Sequence, residues 1–217
     1  MRHGQTEYTD IYPDLTPEGI RTIKRAALII QSIVNEHHKL TIATSPMARA
    51  MGSTSIIAEA LNCGKEKIRK EPDISAAVVR DEKEARAILD EYMLKVGVEG
   101  LCLAYGADPR FEDGKAIEPR SAVRERFLKY FASLIRQFLV NTGLLPCVII
   151  ISHYEFLYHF VESIFELNYK KDNPLGHGEV IEVSFFDIGI GNVVEMEVTF
   201  RKRTIIKNFD YAQKEII

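Results

Sequence analysis

Residues 147–151 read Cys147-Val148-Ile149-Ile150-Ile151, with no polar side chain in the run. An alternating strand shows one face to water; an unbroken apolar strand is covered on both faces. Such a strand needs a packed layer on either side, which points to α/β architecture with a mostly parallel sheet. The wider apolar run, 144–151, is interrupted by Pro146. It falls well short of the roughly 20 residues that a spanning helix needs, so no membrane span is expected.

The rest of the chain alternates in the same sense. Thr16-Pro17 reads as a helix cap followed by proline at the first helical position, and Ile20, Ile23, Ala27, Ile30 and Val34 then recur at helical spacing. Residues 40–44 form a short strand, and Ser45-Pro46 opens a second helix that ends near Asn62-Cys63-Gly64. Asp81 and Glu84 have capping-box spacing ahead of a stripe of Ala85, Ile88, Leu89, Tyr92, Met93 and Val96. Pro119 opens a long helix with Val123, Phe127, Tyr130, Phe131, Leu134 and Phe138 on its apolar face. Leu157, Phe160, Val161, Ile164 and Phe165 mark another. Residues 179–186 and 193–206 read as a terminal hairpin around Gly189-Ile190-Gly191-Asn192. The 97–118 stretch is glycine-rich and without period, and reads as a lid or cap insertion, or else as a surface insertion.

Composition narrows the class of partner. The chain of 217 residues carries 28 Lys and Arg against 31 Asp and Glu, a net charge of −3, so no global basic field recruits nucleic acid or an anionic membrane. Apolar residues make up 46%, enough for a sizeable core in a single domain over 1–217. Three cysteines without CxxC spacing fit free thiols in a reducing, cytoplasmic compartment.

Three short segments carry the chemistry. Arg2-His3-Gly4-Gln5-Thr6-Glu7 stands at the N-terminus, Ser45-Pro46-Met47-Ala48-Arg49-Ala50 follows the 40–44 strand, and Ser152-His153 follows the 147–151 strand. The carboxyl ends of strands are where α/β proteins bind ligands. Two arginines and two histidines there suit a phosphoryl dianion, because guanidinium groups make bidentate bonds to phosphate oxygens. A histidine flanked by cations is also held in its neutral, nucleophilic form.

These segments resemble the histidine phosphatase superfamily, also called the phosphoglycerate mutase-like family. Arg2-His3-Gly4 matches its RHG motif, Leu15-Thr16-Pro17-Glu18-Gly19 its LTxxG segment, 45–50 with Thr54 its SPxxRAxxT pattern, and Ser152-His153 its second histidine. The resemblance spans nearly the whole chain. It implies a three-layer α/β/α sandwich with a mostly parallel central sheet. It also implies attack by His3 on phosphorus, with Arg2, Arg49 and His153 holding the phosphoryl oxygens and Gly4, Thr6, Thr9 and Tyr154 near the substrate. No cofactor and no metal are implied. The expected partner is a small phosphorylated substrate or a phosphoprotein, and a homodimer is expected as the assembly.

Four departures stand beside the match. In the family a buried strand leads into the first motif, whereas only Met1 precedes Arg2 here. A start upstream of Met1 is expected, or else another segment or chain in that place. The family's acidic residue after SPxxRA falls on Ala76, which leaves Glu82 and Asp73 as substitute acids. Thr9 stands where the family often has asparagine, and Tyr154 where it often has glycine. His177, between glycines, reads as a loop residue, or by the resemblance as a substrate contact. The expected function is a metal-independent phosphatase acting on a phosphomonoester or phosphoramidate. The alternatives are mutase-type phosphoryl transfer, and a catalytically weak relative that binds phosphorylated ligands.

Overall fold

A computed structural model of the chain describes residues 1–7, 15–97, 105–106, 108–140, 145–167 and 175–217. β1 (His38–Thr44), β2 (Ile68–Lys70) and β3 (Leu145–Ile151) form a parallel sheet in the order β2-β1-β3, with Leu40 opposite Cys147 and Thr44 opposite Ile151. The N-terminal residues run parallel beside the end of β3: Ser152 N donates to Met1 O at 3.1 Å, and His3 N donates to Ser152 O at 3.0 Å. They lie on the edge of β3 away from β1, because Ile151 O, pointing the other way, accepts from Ser45 N.

Strand side chains alternate between two cores, as the pleat requires. Ile42, Ile149 and Ile151 pack with Ile23 and Ile30 of α1 (Pro17–Ile33) and Ile57 of α2 (Ala48–Ala60). Ala43, Val148 and Ile150 face the opposite core. That core is built by α3 (Glu82–Val96), α4 (Arg120–Leu139) and α5 (Tyr154–Phe165). Its centre is aromatic: the Phe127 ring meets those of Phe131, Phe156 and Phe160 at 5.2–5.4 Å, and Phe131 meets Phe160 at 5.1 Å. Helices on both faces of a parallel sheet make the expected α/β layering.

Local signals act as read. Thr16 Oγ1 caps α1 by accepting from Gly19 N at 3.0 Å, and Asp81 Oδ1 caps α3 by accepting from Glu84 N at 3.0 Å. Ile20 of α1 and Met93 of α3, read as stripe residues, are exposed. In the 97–118 stretch, the described residues Tyr105, Phe111 and Ala116 are buried in the second core, and Val79 bridges Ile117.

The terminal hairpin is larger than expected. β4 (Glu182–Ile190), β5 (Val193–Phe200), β6 (Arg203–Asp210) and β7 (Glu215–Ile216) form an antiparallel sheet in sequence order. The 193–206 segment is not one strand but two, turned at Arg201-Lys202 with φ of 48° and 64°. Two-residue hairpin turns need positive φ, usually supplied by Gly or Asn. Arg-Lys gives no such signal, so the turn was illegible. Among the described residues no helix is long and apolar enough to cross a membrane.

Candidate active site

Each chemical group sits where a strand ends. Arg2 and His3 lie beside the end of β3, His153 follows β3 directly, and Arg49 stands on the first turn of α2 after β1. Two contacts seat the N-terminal motif. Gly4 N donates to Ser53 Oγ at 3.0 Å, and Thr16 N donates to Gln5 O at 3.0 Å. Ser53, and not Thr54, is thus the α2 hydroxyl that reaches this turn; Thr54 bonds to Thr44 Oγ1 and Ala50 O.

The hydrogen bonds determine the tautomers. His3 Nδ1 lies 2.7 Å from Gly4 O, which only accepts, so Nδ1 carries the proton and Nε2 holds the lone pair. Arg49 Nε donates to His3 Nε2 at 3.1 Å and to His153 Nδ1 at 3.2 Å. His153 therefore carries its proton on Nε2 and donates it to Ser45 Oγ at 2.8 Å; Ser45 Oγ in turn donates to Ser75 Oγ at 3.4 Å. The His3 and His153 rings stand 4.9 Å apart.

A third imidazole joins them. His177 lies 5.6 Å from the His3 ring, and its Nε2 lies 3.0 Å from Arg2 NH2. Arg2 NH1 donates to Leu175 O at 2.7 Å, and its guanidinium stands 5.3 Å above the Tyr154 ring.

All three imidazoles are held neutral. Burial first, then His153, Arg49 and Arg2, push His3 well below the ordinary histidine value, against a smaller opposing effect of its bond to Gly4. Burial, followed by Arg49, Arg2 and Arg126, does the same to His153. Burial, followed by Arg2 and Arg49, pushes His177 down to about 3. A neutral imidazole with a directed lone pair is a nucleophile, and two adjacent guanidinium groups complement a phosphoryl dianion.

The remaining predicted residues divide. Thr6 is buried with Oγ1 unpartnered among the described residues, so its hydroxyl has a hydrogen bond to give. The Gly4 N–H is taken by Ser53. Tyr154 is buried under Arg2 and stacks on Tyr158 at 5.2 Å. Thr9 lies outside the described residues. Glu82 is exposed in the first turn of α3, and Asp73 is exposed in a groove beside Glu71 and Arg126. Among the described residues, the charges that act on His153 and His177 are those of arginines. Ala76 is buried, and its carbonyl accepts from Arg126 NH2. Arg110, in the 97–118 stretch, pairs with Asp108 and Glu91. Among the described residues no group of three His, Cys, Asp or Glu side chains is disposed to hold a metal.

Sequence reasoning missed Ser45 and Ser53 as hydrogen-bond partners and left His177 open. A hydroxyl one turn after Arg49 was the available signal for Ser53.

Comparison with known proteins shows the family. The family model described as "Histidine phosphatase superfamily (branch 1)" matches residues 1–193. Similar solved structures include a mycobacterial glucosyl-3-phosphoglycerate phosphatase, at 16% identity and a TM-score of 0.59 over 94% of this chain and 97% of that one. A phosphoglycerate mutase from Bacillus anthracis matches at 14% identity and 0.55, over 98% and 93%. A phosphoserine phosphatase from Entamoeba histolytica, in complex with 3-phosphoglyceric acid, matches at 15% and 0.51, over 94% and 91%. These likenesses concern the fold. Comparison with curated protein sequences finds no significant match.

Proposed function

The chain belongs to the histidine phosphatase superfamily, and from that premise we propose that it is a metal-independent phosphohydrolase working through a phosphohistidine on His3. The observation that carries the reading is the Nε2 lone pair of His3, with Nδ1–H tied to Gly4 O and the Arg49 guanidinium beside it.

In the first step His3 Nε2 bonds to phosphorus as the bond from phosphorus to the leaving group breaks, and the leaving group takes the electron pair. Arg49 and Arg2 hold the non-bridging oxygens and offset their charge, while His153, its single N–H given to Ser45 Oγ, keeps Arg49 in place through Nδ1. The bond from Nδ1–H to Gly4 O steadies the positive charge on the ring. In the second step a water oxygen bonds to phosphorus, the N–P bond breaks, and its electron pair returns to Nε2. Inorganic phosphate and neutral His3 result. The guanidinium groups supply the counter-charge, so no metal is required.

Among the described residues, the charges acting on His153 and His177 are those of arginines, and the position where the family's acid is expected holds Ala76. General acid catalysis is typically worth about 10²–10⁴-fold, so this site favours leaving groups that depart without a proton. Aryl phosphates and acyl phosphates are of that kind, and a phosphoramidate joins them only when its nitrogen already carries the proton.

Hydrolysis of an aryl phosphate in EDTA tests the reading, with the parent compared to His3→Ala. Turnover that survives EDTA and is lost in the variant, together with an acid-labile phosphoryl adduct on the parent, is expected. Equal turnover in both proteins, or dependence on added metal, overturns it. Equal rates on alkyl and aryl phosphates would sink the leaving-group preference alone.

A further inference from the structure

We propose that His177 is a positioning residue for Arg2: its Nε2 accepts from Arg2 NH2 and fixes the plane in which the guanidinium meets the phosphoryl group. The inference rests on the proposed phosphoryl site and adds a residue to it.

Arg2 has five N–H donors in a rigid fork. One is spent on Leu175 O at 2.7 Å and one points at His177 Nε2 at 3.0 Å, while Nε is buried and unpartnered among the described residues. The bond to Leu175 alone leaves the plane free to swing about one contact. The second contact, on the other terminal nitrogen, removes that freedom and leaves the remaining donors for an anion. Preorganised donors stabilise developing charge without reorganising during the reaction.

The loop that bears His177 is built to hold this position. Gly178 N donates to Arg2 O at 3.1 Å, so the loop is tied to the backbone of the residue it orients. Glu179 Oε2 accepts from Gly176 N at 2.5 Å, and the Glu179 carboxylate is gripped by the Arg201 fork at 2.6 and 2.7 Å. Arg201 occupies the positive-φ turn between β5 and β6, which anchors the loop in the antiparallel sheet. Gly178 has φ of 69°, and a Cβ there would stand 2.5 Å from Thr22 Cγ2, so the loop also lies tight against α1.

The imidazole must stay neutral to accept. Its surroundings serve that end, by burial first and then by the charges of Arg2 and Arg49.

The test compares the parent with His177→Gln, whose Oε1 can stand in for Nε2, and His177→Leu, which fills the space without an acceptor. The probe is inorganic phosphate, titrated calorimetrically, with thermal melting run alongside. A hydrogen bond to a charged group lost at Arg2 predicts phosphate binding about 10- to 100-fold weaker in His177→Leu. In His177→Gln it should stay within about 3-fold of the parent. Equal binding by His177→Leu and the parent overturns the proposal, as does a Gln variant as weak as the Leu variant. Failure of the parent to bind phosphate overturns both this proposal and the phosphatase reading. A parent that binds phosphate but turns over no aryl phosphate overturns only the latter. Nitrogen-15 NMR gives a readout independent of folding stability and activity: the Nδ1–H tautomer is expected for His177, and the Nε2–H tautomer overturns the proposal.

Discussion

Arg49 Nε lies 3.1 Å from His3 Nε2, with its N–H directed at the ring's lone pair. The same N–H reaches His153 Nδ1 at 3.2 Å. In the proposed reaction this donor passes from the ring nitrogen to a phosphoryl oxygen, so Arg49 is both guard of the neutral nucleophile and ligand of the substrate. Arg49→Lys keeps the charge and loses the planar fork. The expected effect is a fall in kcat of about 10²–10³-fold on an aryl phosphate, with melting temperature little changed. A rate within 3-fold of the parent would show that charge alone suffices.

Ser45 is buried and receives the Nε2–H of His153 at 2.8 Å. Ser45→Ala leaves that donor unpartnered in the interior. The expected destabilisation is about 1–3 kcal/mol, read from urea unfolding midpoints. Turnover should fall as His153 loses its fixed tautomer. A variant as stable as the parent would mean that another acceptor takes the proton.

The three neutral imidazoles make stability depend on pH. Unfolded histidines titrate near 6.5, whereas His3 and His153 are pushed well below that value, and His177 to about 3. Below about pH 6.5 the unfolded chain binds protons that the folded chain refuses. Their contribution is therefore complete above about pH 6.5 and is lost as pH falls, by about 1.4 kcal/mol per pH unit for each histidine. Urea midpoints between pH 6.5 and 5 should fall steeply in the parent and by one histidine's slope less in His177→Gln. An identical slope in the two proteins would contradict this.

Gly4 and Gly19 meet backbone to backbone. A Cβ on Gly4 would stand 2.9 Å from Gly19 O, and a Cβ on Gly19 would collide with Gln5 O. Gly19→Ala is expected to destabilise by about 1–3 kcal/mol through overpacking, and to lower turnover because the displaced segment carries His3. Unfolding midpoints and aryl phosphate kinetics measure both. Parent-like values in both would show that the contact relaxes without strain.

Much of this was open to a reader of the sequence. The apolar 147–151 run required a layer on each face, and Ile149 and Val148 do face opposite cores. Thr16 and Asp81 announced their helices because a cap is a local hydrogen bond between neighbours. The Arg201-Lys202 turn was hidden for the converse reason: a four-stranded sheet holds it at positive φ against its own residues' preference.

The candidate site divides the same way. Arg49 and His153 were legible because each follows closely on a strand, and Arg2 and His3 because Arg2-His3-Gly4 resembles the family's first motif. Thr9 lies outside the described residues, and the expected acids Glu82 and Asp73 are exposed. His177 follows His3 by more than 170 positions, and only the packing of its loop on Arg2 and α1 brings the rings within 5.6 Å. The sequence by itself determined the α/β layering and the residue types of the candidate site, because periodicity, caps and short motifs are properties of neighbours. The tertiary structure alone decided which nitrogen of each histidine carries a proton and which side chains orient the arginines. Those depend on partners such as Gly4 O, Ser45 Oγ and Arg2 NH2, whose distances no spacing along the chain encodes.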